Sequence, residues 1–123
     1  MWIARQGRRQ TGAQPQAQVG RVTLPGDPAG VYLSGERREL PVFAPGGYVW
    51  RPAAGREVLV LKTGPDGAAA CVAGERCGAE EGLEEGEVLL HAGKASIRLS
   101  PDGTIWLEGQ LRLNGSPVSL AEG

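Results

Sequence analysis

The stretch that decides the fold is ASIRLSPDGTIWL, residues 95–107. Its apolar residues Ala95, Ile97 and Leu99 alternate with polar ones, and this period of two predicts a strand with one apolar face. In the centre, residues 100–103 (SPDG) combine a Pro that presets φ, an Asp that can cap its own backbone and a Gly that accepts positive φ. The stretch therefore predicts two short antiparallel strands joined by a tight turn.

The sequence on both sides repeats this pattern. Residues 88–90 read as a further short strand, and Asn114-Gly115 is a strong signal for a two-residue hairpin. One copy of residues 87–120 would leave an apolar face that these residues cannot cover. Copies packed around a shared axis would cover it, so the segment predicts a β-solenoid or β-prism in an obligate oligomer with cyclic symmetry.

Upstream, residues 19–73 carry five strand signals spaced by Gly- and Pro-rich turns. Short strands at such spacing are typical of a small barrel, and we predict an OB-type barrel. Pro41 places the third strand at an edge. The whole chain is therefore expected to be all-β. The predicted barrel strands are Val19–Leu24, Val31–Leu33, Leu40–Phe43, Val58–Leu61 and Ala68–Val72.

Two segments outside these modules lack strand patterning. Residues 1–18 are predicted to be a flexible basic arm, either a frayed terminus or a docking arm for an acidic partner. Residues 74–86 are predicted to be a Gly- and Glu-rich linker. Their carboxylates lack the spacing of a calcium loop, and the Gly-rich setting predicts that they are equally exposed, unlike an acid–base pair.

Composition limits the classes of function. The 123 residues include 20 Gly and 9 Pro, which favours many turns, and 13 basic against 14 acidic residues argue against a nucleic-acid partner. No stretch reaches the roughly 20 apolar residues of a membrane span. The N-terminus lacks the apolar run of a secretory signal, so we expect synthesis and folding in the cytoplasm.

The sequence offers no catalytic set. It has one histidine and no Ser-His-Asp set, GxSxG motif or phosphate loop, so we expect no enzyme activity, no cofactor and no catalytic or metal-binding residue. Cys71 lies in a predicted strand and Cys77 in the linker. Reduced thiols are favoured over a disulfide between them, because no export signal precedes them.

One segment is similar to a known family. GEVLLHAGKASIRLSPDGTIWLEGQLRLNG, residues 86–115, resembles the C-terminal repeats of phage baseplate assembly protein V and the Mu-type central spike family. The resemblance implies an OB-fold domain followed by a trimeric β-helix over residues 87–123. It also implies a non-enzymatic homotrimeric spike in the virion tail baseplate, or in a related contractile injection machine, that helps to breach the host cell envelope. Tail-tube or baseplate hub proteins are the implied partners.

Departures from the family limit what carries over. Many members end in an apex where paired histidines bind iron, but here His91 is alone. No metal site is therefore carried over, and His91 is expected to be an outward or inter-strand residue. Residues 120–123 show no tapering tip, which leads us to expect a separate tip protein. Larger relatives insert a lysozyme domain where this chain has only the short linker.

A second class of function stays open. An OB-fold module for oligosaccharide or single-stranded nucleic acid would use aromatic and basic residues, and Tyr32, Tyr48, Trp50 and Arg51 could supply them. Barrel packing or contacts between subunits are the competing roles for these four. Trp106, which alternation places opposite the apolar face, has three open roles: contact with a neighbouring chain, with the barrel or with a tip partner.

Overall fold

A computed structural model describes residues 16–78 and 82–120 of the chain. In this part the chain forms antiparallel β-sheets and no helix, so the all-β prediction is confirmed. The chain divides into an N-terminal unit, residues 1–78, and a C-terminal unit, residues 79–123. The strands of the N-terminal unit are β1 (Ala17–Leu24), β2 (Ala29–Tyr32), β3 (Glu36–Leu40), β4 (Glu57–Thr63) and β5 (Ala69–Glu75).

The N-terminal unit is one five-stranded sheet in the order β3-β2-β1-β4-β5. Its ladders shift register at three places: between Val22 and Leu24 in β1, between Ala29 and Val31 in β2, and between Leu59 and Val60 in β4. Such irregularities bend strands and increase their twist. The sheet can therefore curl around its own apolar side.

The segment that follows β3 meets the opposite edge strand, β5, at one point. The Phe43 N–H donates to the Val72 carbonyl at 2.8 Å, and the Val72 N–H donates to the Pro41 carbonyl at 2.9 Å. These bonds make a single parallel bridge between Val42 and Val72. Because the bridge is one residue long, the sheet is not a closed barrel, and the predicted OB-type barrel stays a prediction.

Aliphatic side chains on the inner side of the curled sheet form the core. Leu33, Val42 and Trp50 are partly buried against this core. Gly20 faces it, because a Cβ there would lie 2.5 Å from atoms of Val31 and Leu33. The buried residues are Val22, Ala29, Val31, Leu40, Val58, Val60, Ala70 and Val72.

The expected third strand at Leu40–Phe43 is wrong. The strand β3 covers Glu36–Leu40 instead, a charged segment whose side chains are tolerated because β3 lies at an edge of the sheet. β1 begins two residues before the expected start at Val19, and β5 continues to Glu75, inside the predicted linker. Most of the predicted basic arm, residues 1–15, lies outside the described residues.

The C-terminal unit contains a three-stranded antiparallel sheet, in the order β6-β7-β8, and a separate hairpin of β9 and β10. The predicted short strands are therefore present, whereas residues 82–120 of one chain form no solenoid and the trimeric β-helix stays a prediction. The strands are β6 (Val88–Ala92), β7 (Ala95–Leu99), β8 (Ile105–Glu108), β9 (Arg112–Leu113) and β10 (Ser116–Pro117).

Candidate assembly surface

The turn between β7 and β8 is built by its own side chains. The Gly103 N–H donates to the Ser100 carbonyl at 3.0 Å, and the Thr104 N–H donates to Asp102 Oδ1 at 2.9 Å. Hydrogen bonds from the side chain and then from the backbone N–H of Thr104 lower the pKa of the Asp102 carboxyl. Gly103 has φ of +95°, in the left-handed region that glycine adopts without strain. The turn predicted at residues 100–103 is confirmed.

The hairpin of β9 and β10 also follows its sequence signal. Asn114 and Gly115 both have positive φ, +50° and +81°, as a type I′ turn requires. The hairpin is its own two-stranded sheet, and hairpins of that size are marginally stable alone. Its apolar side chains, and those that flank it, are exposed: Leu111, Leu113, Val118 and Leu120.

The register of β6–β8 sorts its side chains onto two faces. Leu99 of the central strand lies between Val88 and Ile105, and two residues along, Ile97 lies between Leu90 and Leu107. We call this side the apolar face: Val88, Leu90, Ala92, Ala95, Ile97, Leu99, Ile105 and Leu107. The other side is the polar face: Leu89, His91, Ser96, Arg98, Trp106 and Glu108.

Residues 82–120 provide no cover for the apolar face. Its six large side chains are between 42% and 63% exposed. Over residues 82–120 no residue of the unit is buried, although the N-terminal unit has a buried core. Burying a side chain of this kind stabilises a protein by roughly 1.5–3 kcal/mol. An exposed face of this size is typical of an interaction surface.

The apolar face carries smaller side chains at one end than at the other. There the large rows give way to Ala92 and Ala95, and a recess of about 420 Å³ lies over them, bordered by Leu90, Ile97 and Leu107 among others. Small side chains at one end let a second surface approach the sheet more closely there than over the large aliphatic rows. The face is therefore shaped as well as apolar.

The polar face is held by side-chain contacts. The Ser100 hydroxyl donates to Glu87 Oε2 at 2.8 Å and accepts the Trp106 indole N–H at 3.2 Å. The Arg98 guanidinium carbon lies 5.2 Å from the centre of the Trp106 ring, within the range of a cation–π contact. Trp106 lies opposite the apolar face as predicted, and its described partners belong to its own sheet.

The carboxylates of the predicted linker region are not equally exposed, which corrects that expectation. Glu75 and Glu87 are half-buried, whereas Glu84 and Glu85 are exposed. Glu75 is held by Arg56, whose guanidinium contacts one carboxylate oxygen at 2.7 Å. Glu75 is the last residue of β5 and Glu87 directly precedes β6, and each carboxylate accepts a side-chain hydrogen bond, from Arg56 and from Ser100. Glu80 and Glu81 lie outside the described residues.

The four candidate ligand-binding residues of the N-terminal unit differ in exposure. Trp50 packs against the core and Arg51 lies 3.9 Å from the Asp27 carboxylate, so both interact within the unit. Tyr32 and Tyr48 are exposed. Trp50 therefore has the packing role that was considered as the alternative to ligand binding, whereas the two tyrosines do not.

The histidine and the two cysteines are the remaining candidate residues. His91 is exposed on β6 and lies opposite Ser96 in the ladder. Cys71 is buried in β5, Cys77 is exposed, and neither forms a disulfide. Among the described residues, no group of three His, Cys, Asp or Glu side chains is placed to hold a metal ion.

No protein-family model matches the chain, and no curated protein matches it. The resemblance carried by residues 86–115 therefore remains an expectation. Within residues 16–78 and 82–120, no helix has the length and apolar character needed to cross a membrane. The uncovered apolar face is consequently the feature on which a functional proposal depends.

Proposed function

We propose that the chain is a structural, non-enzymatic subunit of a homotrimeric central spike or baseplate protein, from a phage tail or a related contractile injection machine. In this role it helps to pierce the cell envelope. The observation that supports the proposal is the apolar face of β6–β8, which is uncovered within its own unit. The family resemblance of residues 86–115 supplies the biological setting.

Other copies of the chain are the proposed cover of the apolar face. Two sheets packed face to face would bury their aliphatic side chains but leave the backbone edges at β6 and β8 open. Open edges favour uncontrolled pairing. Three sheets around one axis bring each edge near a neighbouring copy and enclose the aliphatic rows in a single core. A cyclic trimer therefore accounts for both the face and the edges.

The N-terminal unit supports the OB-type part of the proposal. A barrel of this type needs five strands and contact between the first and last strands of the sheet order. The order β3-β2-β1-β4-β5 and the bridge between Val42 and Val72 both fit that arrangement. In the proposed spike, this unit contacts the tail tube or the baseplate hub.

The proposed spike has a mechanical role and needs no active site. A continuous aliphatic core shared by three chains resists local opening, because separating one chain exposes its whole apolar face. The proposed location is the virion tail baseplate, after synthesis in the bacterial cytoplasm. A separate tip protein and the host cell envelope are the further proposed partners, and nucleic acid is not among them.

One observation favours a second candidate. Tyr32 and Tyr48 are exposed aromatic side chains of the N-terminal unit, and exposed aromatics can stack on bases or sugars. The second candidate is therefore an OB-fold module that binds an oligosaccharide or single-stranded nucleic acid. The charge balance of 13 basic and 14 acidic residues disfavours the nucleic acid.

Light scattering combined with sedimentation velocity tests the proposal. We expect a concentration-stable particle of three times the 12.9 kDa chain mass with an elongated shape. The same sample is titrated with a single-stranded oligonucleotide and with a cell-envelope glycan. A monomer that binds either ligand through Tyr32 and Tyr48 would overturn the spike in favour of the second candidate. A monomer that binds neither would overturn both.

A further inference from the structure

Glu87 connects the turn that precedes β6 to the polar face of the sheet. Its Oε1 accepts the Glu84 N–H at 2.9 Å, and its own N–H donates to the Glu84 carbonyl at 3.1 Å. Its Oε2 accepts the Ser100 hydroxyl at 2.8 Å. Since Val88 pairs with Leu99, the Glu87–Ser100 contact extends the β6–β7 ladder by one side-chain pair.

The contact continues to the third strand. Ser100 accepts the indole N–H of Trp106 at 3.2 Å, so one hydroxyl links the carboxylate before β6 to a side chain of β8. The chain from Glu87 through Ser100 to Trp106 therefore spans all three strands on the polar face. It lies on the side of the sheet opposite the aliphatic rows and fixes the strands that carry them.

The ionised form of Glu87 fits this arrangement. Both carboxylate oxygens accept a hydrogen bond, and an ionised carboxylate is an acceptor only. The hydrogen bonds from Glu84 and then from Ser100 lower the pKa of the Glu87 carboxyl. Two charged groups also act on it: Arg98 on β7 lowers this pKa, and Asp102 in the β7–β8 turn raises it.

We propose that Glu87 is a positioning residue for assembly: through Ser100 and Trp106 its carboxylate holds β6–β8 in the register that presents the apolar face, and protonating it weakens the oligomer. This inference rests on the proposed function, because it concerns the same apolar face. The partner is a second copy of the chain. Glu87 itself lies on the polar face, and none of its described hydrogen bonds reaches the aliphatic side chains of the apolar face.

The direction of the pH effect follows from linkage. A carboxyl whose pKa is lower in the folded state stabilises that state above its unfolded-state pKa, and the stabilisation is lost as pH falls through the folded-state pKa. Each copy carries one Glu87, so a trimer loses the same contribution three times. The contacts of Glu87 lie within one chain, so the linkage acts on the ordering of β6–β8, and acid weakens the trimer through the order of each chain's sheet.

Glu87→Gln is the test variant, and Glu85→Gln is its matched control, because Glu85 is exposed and two residues away. Gln keeps the size of the side chain but removes its charge and one of its two acceptor oxygens. We expect Glu87→Gln to raise the dissociation constant of the oligomer at about pH 7. The increase should be roughly threefold for each chain in the oligomer, because each chain loses one hydrogen bond. The difference from wild type should shrink as the pH falls through the lowered pKa of the Glu87 carboxyl, because the wild-type side chain then becomes protonated and neutral like Gln.

A second variant separates positioning from a general loss of folding. Ser100→Ala removes the middle of the chain of contacts, so its effect and that of Glu87→Gln should be less than additive in a double-mutant cycle. The NMR resonance of the Trp106 indole N–H should titrate with the Glu87 pKa in the wild type and not in Glu87→Gln. Wild-type behaviour of Glu87→Gln at every pH, or fully additive effects, would overturn the inference.

Failure of the role of Glu87 can be distinguished from failure of the proposed trimer. If wild type is a monomer at about pH 7 by light scattering, the trimer proposal fails. The Trp106 resonance then still reports whether Glu87 orders the sheet. If wild type is a trimer whose acid dissociation is unchanged by Glu87→Gln, the trimer stands and the role of Glu87 fails.

Discussion

The two units use the same kind of strand but bury it differently. In the N-terminal unit Val31 is 0% exposed, whereas Val88 in the C-terminal unit is 51% exposed. Both side chains lie in antiparallel ladders with an aliphatic neighbour across the strand, Val22 for Val31 and Leu99 for Val88. The type of residue and the type of ladder therefore do not account for the difference.

The shape of the two sheets accounts for it. The N-terminal ladders contain three register shifts, which let the sheet bend around its own apolar side. The ladders of β6–β8 run without a register shift, and tight turns join the strands. A sheet of three short strands without bulges cannot curl enough to cover itself. The N-terminal unit therefore covers its own apolar side, whereas the apolar face of the C-terminal unit requires a cover from outside the unit.

The largest expected effect comes from a charge on the apolar face. Ile97→Asp would place a carboxylate in the shared core of the proposed trimer, and an unpaired buried charge costs about 3–5 kcal/mol per chain. We expect light scattering to show monomers, with an N-terminal unit that still unfolds cooperatively. Ser96→Asp, one residue away on the polar face, is the control and should remain assembled. An assembled Ile97→Asp variant would mean that this face is not the interface.

A pair of valine truncations separates the two sources of burial. Val31→Ala should destabilise the N-terminal unit by roughly 2 kcal/mol, because it leaves a cavity in a core that one chain completes. That loss should be the same at every protein concentration. Val88→Ala should leave a dilute monomer almost unchanged and weaken only the assembled form, so that its effect grows with concentration. Thermal unfolding over a dilution series measures both effects. If both were independent of concentration, Val88 would not be buried by assembly.

The smallest expected effect concerns a surface ion pair of the N-terminal unit. Arg56 contacts Glu75 at 2.7 Å, and the two side chains are 49% and 25% exposed. Ion pairs at such positions contribute roughly 0.2–1 kcal/mol. We expect Glu75→Gln to lower the free energy of unfolding by no more than this, to lose its effect at high salt and to leave assembly intact. A loss of assembly would show that the N-terminal unit takes part in the interface through this pair.

Local chemistry made much of the C-terminal sheet predictable. The turn at residues 100–103 and the Asn114-Gly115 turn depend on residues adjacent in sequence, and both form as expected. The alternation at Ala95–Leu99 likewise assigned each side chain to its correct face. The apolar face could therefore be predicted from the sequence, although its cover could not, because one chain contains no information on the position of its copies.

Other features depend on contacts between distant residues. β3 at Glu36–Leu40 has no apolar alternation, and it forms a strand because β2 offers a free edge. The role of Glu87 depends on Ser100, thirteen residues later. A signal for that contact exists in the sequence, since Glu87 precedes one predicted strand and Ser100 follows its partner, but only the register places them opposite each other.

Thiol labelling of two adjacent positions tests most directly whether other copies cover the apolar face. Leu107→Cys and Glu108→Cys are made in a Cys77→Ser background, in which the remaining Cys71 is buried. Both positions are exposed in the single chain, Leu107 on the apolar face and Glu108 on the polar face. We predict that the thiol at 108 reacts rapidly with a maleimide, whereas the thiol at 107 is protected until denaturant is added. Equally rapid labelling of both thiols in the native protein would contradict the account.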